Sequence, residues 1–277
     1  MGRCCGTEAC LEHEKEGWCS LRRFLSAVAA RLKGCRKPKK DDVFLVSYPK
    51  SGNTWVRFLI GNLLREQGEA PVDFHSVHDL CPEWERWDGN RQPFSGPIVF
   101  KSHQVFNPDF RRVIYIVRDP RDMYISYHKF SLPTLEEKWS LAEFIDRFES
   151  KFDRWSVHVS SWMNSKLAAG PDFLLIRYED LLAAPEAELR RMSDFIGLRV
   201  SDEMIKKAVG ASAFDSMKRI EKEKGRKFAS ENKVEAFVRK GQSGEWMACF
   251  GEAEWDAFKR REDADVMKKM GYSVGSE

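Results

Sequence analysis

The chain has 277 residues, 42% of them hydrophobic and 12% aromatic, which is enough to bury the core of one large α/β domain. Charged residues make up 32%, but their signs nearly cancel at a net +3, so no case arises for nucleic acid as the main partner. The sequence holds no run of 18 apolar residues and no secretory pattern, and five of its seven cysteines fall in the first 35 positions, so neither a transmembrane helix nor a disulfide framework is expected and a reducing cytoplasmic compartment is.

Residues 1–40 read as an N-terminal tail. Cys4, Cys5, Cys10, His13 and Cys19 match no standard zinc spacing, and Gly6 stands where a myristoylation pattern wants Ser or Thr. The spacing over 20–34 predicts a short basic amphipathic helix, and 36–42 a solvated linker. From residue 41 to 277 a single domain is expected. Val43–Tyr48 is an apolar run of strand formers, and Thr54–Arg65 then places Trp55, Phe58, Leu59 and Leu63 at helical spacing. Ile98–Lys101 and Val113–Arg118 read as the second and third strands, with a helix over roughly 120–130 and two more near 140–152 and 154–169. Phe173–Tyr178 is the fourth strand, followed by a helix around 185–196 and a mostly helical last third with a glycine-containing loop at 239–245. Short apolar strands separated by helices imply an α/β fold: a central parallel sheet with helices on both faces. Ligands in such sheets bind at the carboxyl ends of the strands, so the residues just after each strand are where chemistry belongs.

The first strand runs into Tyr48-Pro49-Lys50-Ser51-Gly52-Asn53-Thr54-Trp55, a tight turn opening a helix. Backbone N–H groups and the helix dipole converge there, Lys50 adds a full charge, and Ser51 and Thr54 add hydroxyls, an arrangement suited to phosphate. It is P-loop-like without being the nucleotide-kinase loop, because Lys50 precedes the loop's only glycine. An ordinary strand-to-helix turn is the bland alternative. After the third strand, Arg118 offers a planar fork for phosphate and Ser126 a donor two turns on, although Arg118 and Asp119 could equally form a structural ion pair. The second strand ends in Lys101-Ser102-His103, and a histidine at a sheet mouth can act as a general base. Arg239-Lys240-Gly241-Gln242-Ser243-Gly244 sets two cations before glycines that let backbone approach a ligand, or is simply a solvated basic turn.

Together these segments resemble the cytosolic-type sulfotransferases that use 3′-phosphoadenosine 5′-phosphosulfate (PAPS). YPKSGNTW resembles that family's 5′-phosphosulfate loop, IVRDPRDMYIS its 3′-phosphate motif, KSH its catalytic segment and RKGQSGEW its C-terminal signature, all in the family's order over roughly residues 41–272. KSHQVF and the compact length are more similar to microbial and algal members. The resemblance implies that Lys50, Ser51, Gly52, Asn53, Thr54 and Trp55 cradle the 5′-phosphosulfate and stack near the adenine. It implies that Arg118 and Ser126 hold the 3′-phosphate with Arg239, Lys240 and Gly241. It further implies that Tyr178 contacts the adenine and that Ser212, Phe214 and Met217 belong to a segment sandwiching it. Met247–Glu252 lacks the Lys, Thr and Val of the family's dimerisation segment, which leaves monomer or dimer open.

On this resemblance His103 takes the acceptor's proton, Lys50 steadies the bridging oxygen and Lys101 the sulfuryl oxygens, with no metal required. The expected partner is a small-molecule acceptor, with loops at 70–95 (Phe74, His75, His78, Trp84, Trp87), 128–140 and 220–237 shaping its pocket. Two readings compete: a magnesium-dependent nucleotide kinase, and a non-catalytic module that binds the product nucleotide, 3′-phosphoadenosine 5′-phosphate (PAP).

Overall fold

The structure is a computed structural model that describes residues 38–65, 69–89, 97–135, 137–226, 238 and 241–275. Residues 1–37, with the helix expected there, Arg239 and Lys240 lie outside these residues.

Four strands form one parallel sheet: β1 (Val43–Ser47), β2 (Val99–Ser102), β3 (Val113–Val117) and β4 (Phe173–Arg177), in the order β2-β1-β3-β4. The helices in chain order begin with α1 (Asn53–Leu64), α2 (Val77–Leu80), α3 (Pro120–Ser131), α4 (Leu141–Arg147) and α5 (Trp155–Met163). They continue with α6 (Tyr178–Ala183), α7 (Pro185–Ile196), α8 (Asp202–Ala211), α9 (Phe214–Lys224), α10 (Trp246–Cys249), α11 (Glu252–Arg261) and α12 (Ala264–Lys269).

Alternation along the central strands explains the two helical layers. Val43 and Leu45 of β1 and Ile114 and Ile116 of β3 pack on one face with α1, α7 and α8. Phe44, Val46, Tyr115 and Val117 pack on the other with Phe144 of α4, Trp155, Val159 and Trp162 of α5, Phe258 of α11 and Met267 of α12. All five residues of β1 and of β3 are buried, as strands covered on both faces require. The free edge of β2 is covered by the turn before it: Lys101 N donates to the Pro82 carbonyl, and Glu83 bridges alongside Lys101.

Three expectations shift. The helix anticipated at 140–152 stops at Arg147, and the one at 154–169 ends at Met163 before a separate 3₁₀ turn over Lys166–Ala169. A short helix not anticipated, α6, starts directly at Tyr178, so the tyrosine opens a helix and does not close a strand. A six-residue helix is too brief for hydrophobic periodicity to announce.

The connection from β1 runs to β2 on one side, and the connection from β3 runs to β4 on the other. The crevice at the carboxyl ends of β1 and β3 is therefore the topological switch point, the place where this class of sheet binds ligands. No helix among the described residues is long and apolar enough to cross a membrane.

Candidate active site

The loop between β1 and α1 holds two left-handed backbone positions. Lys50 adopts φ +67°, a left-handed conformation uncommon outside glycine. Gly52 follows at φ +96°, and a Cβ built on it would stand 2.6 Å from Cδ2 of Tyr178. Glycine is required there twice over, by its φ and by the tyrosine ring pressed against it. Gly52 starts α1 with no side chain capping its first amides, which leaves those donors and the positive end of the helix turned toward the crevice. Asn53 donates to the Leu45 carbonyl and to Ser47 Oγ, each at 3.2 Å, and ties the loop back onto β1.

Arg118, one residue past β3, joins this loop to the C-terminal one. Its Nη1 donates to the Lys50 carbonyl and its Nη2 to the Gln242 carbonyl, both at 3.1 Å, while the guanidinium lies over the Tyr178 ring at 4.4 Å. The ion pair with Asp119 that the sequence left open does not form. Asp119 caps α3 and binds Arg121, at 2.6 Å to Nη2, so Arg118 keeps its charge for the crevice. Buried Arg118 Nε and Ser51 Oγ find no hydrogen-bond partner among the described residues. Asp122 of α3 accepts from Gly244 N at 2.6 Å and Trp246 N at 2.9 Å, which pins the glycine loop over the site. Gly241, at φ +57°, lies so close to Phe214 that a Cβ there would be 2.1 Å from Cε2.

A cavity of about 460 Å³ opens at this junction. It is lined by Lys50, Gly52, Asn53, Thr54, Trp55, Lys101, His103, Arg118, Ser126, Tyr178, Phe214, Met217 and Gly241, so most of the residues expected from sequence meet in one place. Ser51 and Ser212 are not among the lining residues. Ser212 is fully buried; its carbonyl accepts from Trp55 Nε1 at 3.0 Å and its hydroxyl is 3.0 Å from Asn62 Nδ2, so it orients Trp55 from behind. Trp55, Phe214 and Tyr178 form the aromatic end of the cavity, with ring centroids 5.5 and 6.0 Å from Trp55.

The opposite end is charged. Lys101 Nζ lies 3.1 Å from Glu83, and burial and then this partner act on it in opposite directions, leaving its pKa lowered. Arg57 of α1 is buried, with donors on the Cys81 and Val77 carbonyls, and lines the same wall with His78, Glu85 and Arg86. Lys50 Nζ stands 4.0 Å above the Phe130 ring. Among the aromatics expected to shape the acceptor pocket, Phe74 lines the cavity, whereas Trp84 and Trp87 pack against Phe44 and Phe100 in the core. His75 turns outward to the Lys224 carbonyl.

His103 Nδ1 lies 2.7 Å from the Ser47 carbonyl. A carbonyl only accepts, so the hydrogen sits on Nδ1 and Nε2 carries the bare lone pair. Burial, and then the Lys101 charge, hold the imidazole's pKa well below 6.5, so the ring is neutral at physiological pH. Among the described residues no cluster of three or more His, Cys, Asp or Glu could hold a metal ion.

Arg57, Glu83, Asp122 and the Asp119–Arg121 pair were missed from sequence. Asp122 had a visible signal as the second carboxylate of RDPRD; Arg57 had one as a cation inside an apolar helix.

The model of the sulfotransferase domain family matches residues 40–271. Human sulfotransferase 2B1 is 29% identical over 243 residues, covering 80% of this chain and 65% of its own length; rat sulfotransferase 1C2 is 24% identical, covering 85% of each. The chain thus spans just under two thirds of the human relative. Among solved structures, mouse sulfotransferase SULT7A1 complexed with PAP superposes with a TM-score of 0.62 at 22% identity, covering 86% of this chain and 91% of that one. Retinol dehydratase in a complex with retinol and PAP does so with 0.63 at 21%, covering 83% and 81%. These neighbours share the fold of the four-stranded parallel sheet with its P-loop-like turn, and the match along nearly the whole described chain establishes that this protein belongs to the sulfotransferase family.

Proposed function

We propose that the chain transfers the sulfuryl group of PAPS to a hydroxyl or amine of a small-molecule acceptor, acting as the domain 41–277 with residues 1–40 as a tail. The observation that carries this reading is the pairing, across one crevice, of the Lys50–Arg118 junction with a neutral His103 whose Nε2 is bare. The donor would supply a sulfuryl group bonded to a good leaving group. The residues present suit it: a loop that only glycine can complete at position 52, unpaired buried polar atoms on Ser51 and Arg118, and an aromatic slot for a base.

On this reading Lys50, Thr54 and the first amides of α1 bind the 5′ end of the donor, and Arg118 and Ser126 its 3′-phosphate, with Arg239 and Lys240 adding charge. Trp55, Phe214, Met217 and Tyr178 bind the adenine. His103 Nε2 accepts the acceptor's proton as the nucleophile attacks, and Lys50 neutralises charge on the departing oxygen. Burial first, and then the positive charge of Lys101 in its ion pair with Glu83, keep the base neutral. The kinase alternative is disfavoured because Asp119, the carboxylate nearest in position to a magnesium ligand, is engaged by Arg121.

Thermal unfolding tests the donor assignment. PAP should stabilise the protein, by about 2.7 kcal/mol at 100 times its dissociation constant, and ATP with magnesium far less, because ATP lacks a 3′-phosphate for Arg118. Equal shifts with the two nucleotides would overturn the assignment.

The acid limb of kcat/KM tests the base. A base is lost as pH falls through its pKa, and that of His103 is depressed. Activity should therefore hold through pH 6.5 and decline only below it, in a profile measured from about pH 4.5 to about 8. A limb at or above 6.5 would show that another group sets it.

A further inference from the structure

β2 ends at Ser102, and the main chain of His103 and Gln104 continues past it without a strand partner. Their carbonyls are nevertheless both engaged. His158 Nε2 lies 3.1 Å from the His103 carbonyl, and Trp162 Nε1 donates to the Gln104 carbonyl at 2.9 Å. The two ring donors are four residues apart on α5, one turn along the same face.

The hydrogens of this arrangement are determined by elimination. A carbonyl cannot donate, so His158 carries its hydrogen on Nε2, and its Nδ1 must accept. The Tyr115 hydroxyl, 2.8 Å away in the middle of β3, is the donor. Tyr115 and His158 are both fully buried. Burial pushes the His158 pKa down to about 4 and raises that of Tyr115, so both groups are neutral and the chain has one direction: Tyr115 hydroxyl to His158, His158 to the His103 carbonyl. The connection spans from β3 across to the end of β2, two strands that are not neighbours in the sheet.

We propose that His158, backed by Tyr115 and flanked by Trp162, is a positioning residue that fixes the main chain of His103 so that its Nε2 is held toward the reacting group. The proposal rests on the sulfuryl-transfer reading for its catalytic meaning, but its geometry does not. The charged and titratable groups facing His103 are Lys101 on β2, Arg57 on α1 and His158 itself; those facing His158 are Tyr115, the Tyr48 ring and Asp153. With the carbonyl released, the His103 ring gains access to water, and the burial that holds its pKa down weakens.

The test compares His158→Phe with His158→Gln, whose side-chain amide can still donate to the carbonyl. In His158→Phe, turnover should fall ~10- to 100-fold, the cost of a misplaced catalytic group, with PAP affinity unchanged. His103, followed by NMR titration of the histidine ring signals in unliganded protein, should titrate closer to 6.5 than in the native chain. His158→Gln should recover most of the turnover and the low titration. Native turnover in His158→Phe, a glutamine no better than phenylalanine, or PAP affinity falling in step with turnover would overturn the proposal. If His158→Phe does not fold, His158→Gln carries the test alone: with its amide donor in place it should keep most of the turnover and the low His103 titration, and a His103 signal shifted to near 6.5 with native turnover would overturn the proposal. The titration also separates two failures. A His103 signal unmoved by His158→Phe sinks the positioning role, whereas a moved signal in a native protein that transfers no sulfuryl group sinks only the transfer reading.

Discussion

His103→Ala should lower turnover on a hydroxyl acceptor by about 10²–10⁴-fold and leave the dissociation constant of PAP unchanged. The ring's Nδ1 is engaged by Ser47, at 2.7 Å from the carbonyl and 3.4 Å from the hydroxyl, on the side away from its free nitrogen. Its loss removes a proton acceptor and spares the anchoring groups. The contrast between acceptors sharpens the experiment. A hydroxyl of high pKa needs its proton taken as the bond forms, whereas an acceptor already ionised at the assay pH does not, so the penalty should shrink as acceptor pKa falls. Near-native turnover with a high-pKa alcohol would show that His103 is not the base. Loss of PAP binding would show that the histidine serves the fold, through its bond to β1.

Arg118→Ala should act in the opposite sense, raising the dissociation constant of PAP by roughly 10- to 150-fold with a smaller effect on turnover at saturating donor. The estimate takes about 1.5–3 kcal/mol for a charge-assisted hydrogen bond. The guanidinium also bonds the Lys50 and Gln242 carbonyls, so part of the loss comes from loosening the two loops it joins. Arg118→Lys separates these contributions: it keeps a charge but not the planar fork, and should bind PAP better than alanine and worse than arginine. The discriminating comparison is with adenosine 5′-phosphosulfate, which lacks the 3′-phosphate. Arg118→Ala should lose clearly less affinity for that ligand than for PAP, the remainder being the loosened loops. A parallel loss for both ligands would place Arg118 in loop structure alone. Measured together, the two variants separate chemistry from anchoring, one lowering turnover and the other donor affinity.

Much of the site was legible because its motifs are contiguous. Lys50 to Trp55 act through a turn whose backbone geometry depends on neighbours in sequence, and the central strands announce themselves as apolar runs because both their faces are covered. The helical stretch after β1 was visible from Trp55, Phe58, Leu59 and Leu63, which turn one apolar side to the sheet. From these local facts follow the α/β class, the tight turn that opens α1 with Lys50 in it, and the order of motifs along the chain.

Which partner each charged or aromatic side chain chooses was not legible, because those choices join residues far apart in sequence. Arg118 is free for the crevice only because Arg121 takes Asp119, and adjacent cations give no local preference between them. Ser212 looked like part of the nucleotide slot and instead faces Asn62, 150 positions earlier, since the turn between α8 and α9 aims its side chain inward. Trp84 and Trp87 read as acceptor contacts, whereas the fold packs Trp84 edge-on against Phe44 and Trp87 at a tilt against Phe100. The protonation of His103 depends on a carbonyl 56 residues away, and the hold on its main chain on a histidine 55 residues further on. Composition and periodicity determine which elements form and what chemistry a loop can offer. The direction in which a side chain at the end of an element points, and hence which hydrogen sits on which atom, is decided by packing between elements, where strand and helix periods meet and no local rule applies.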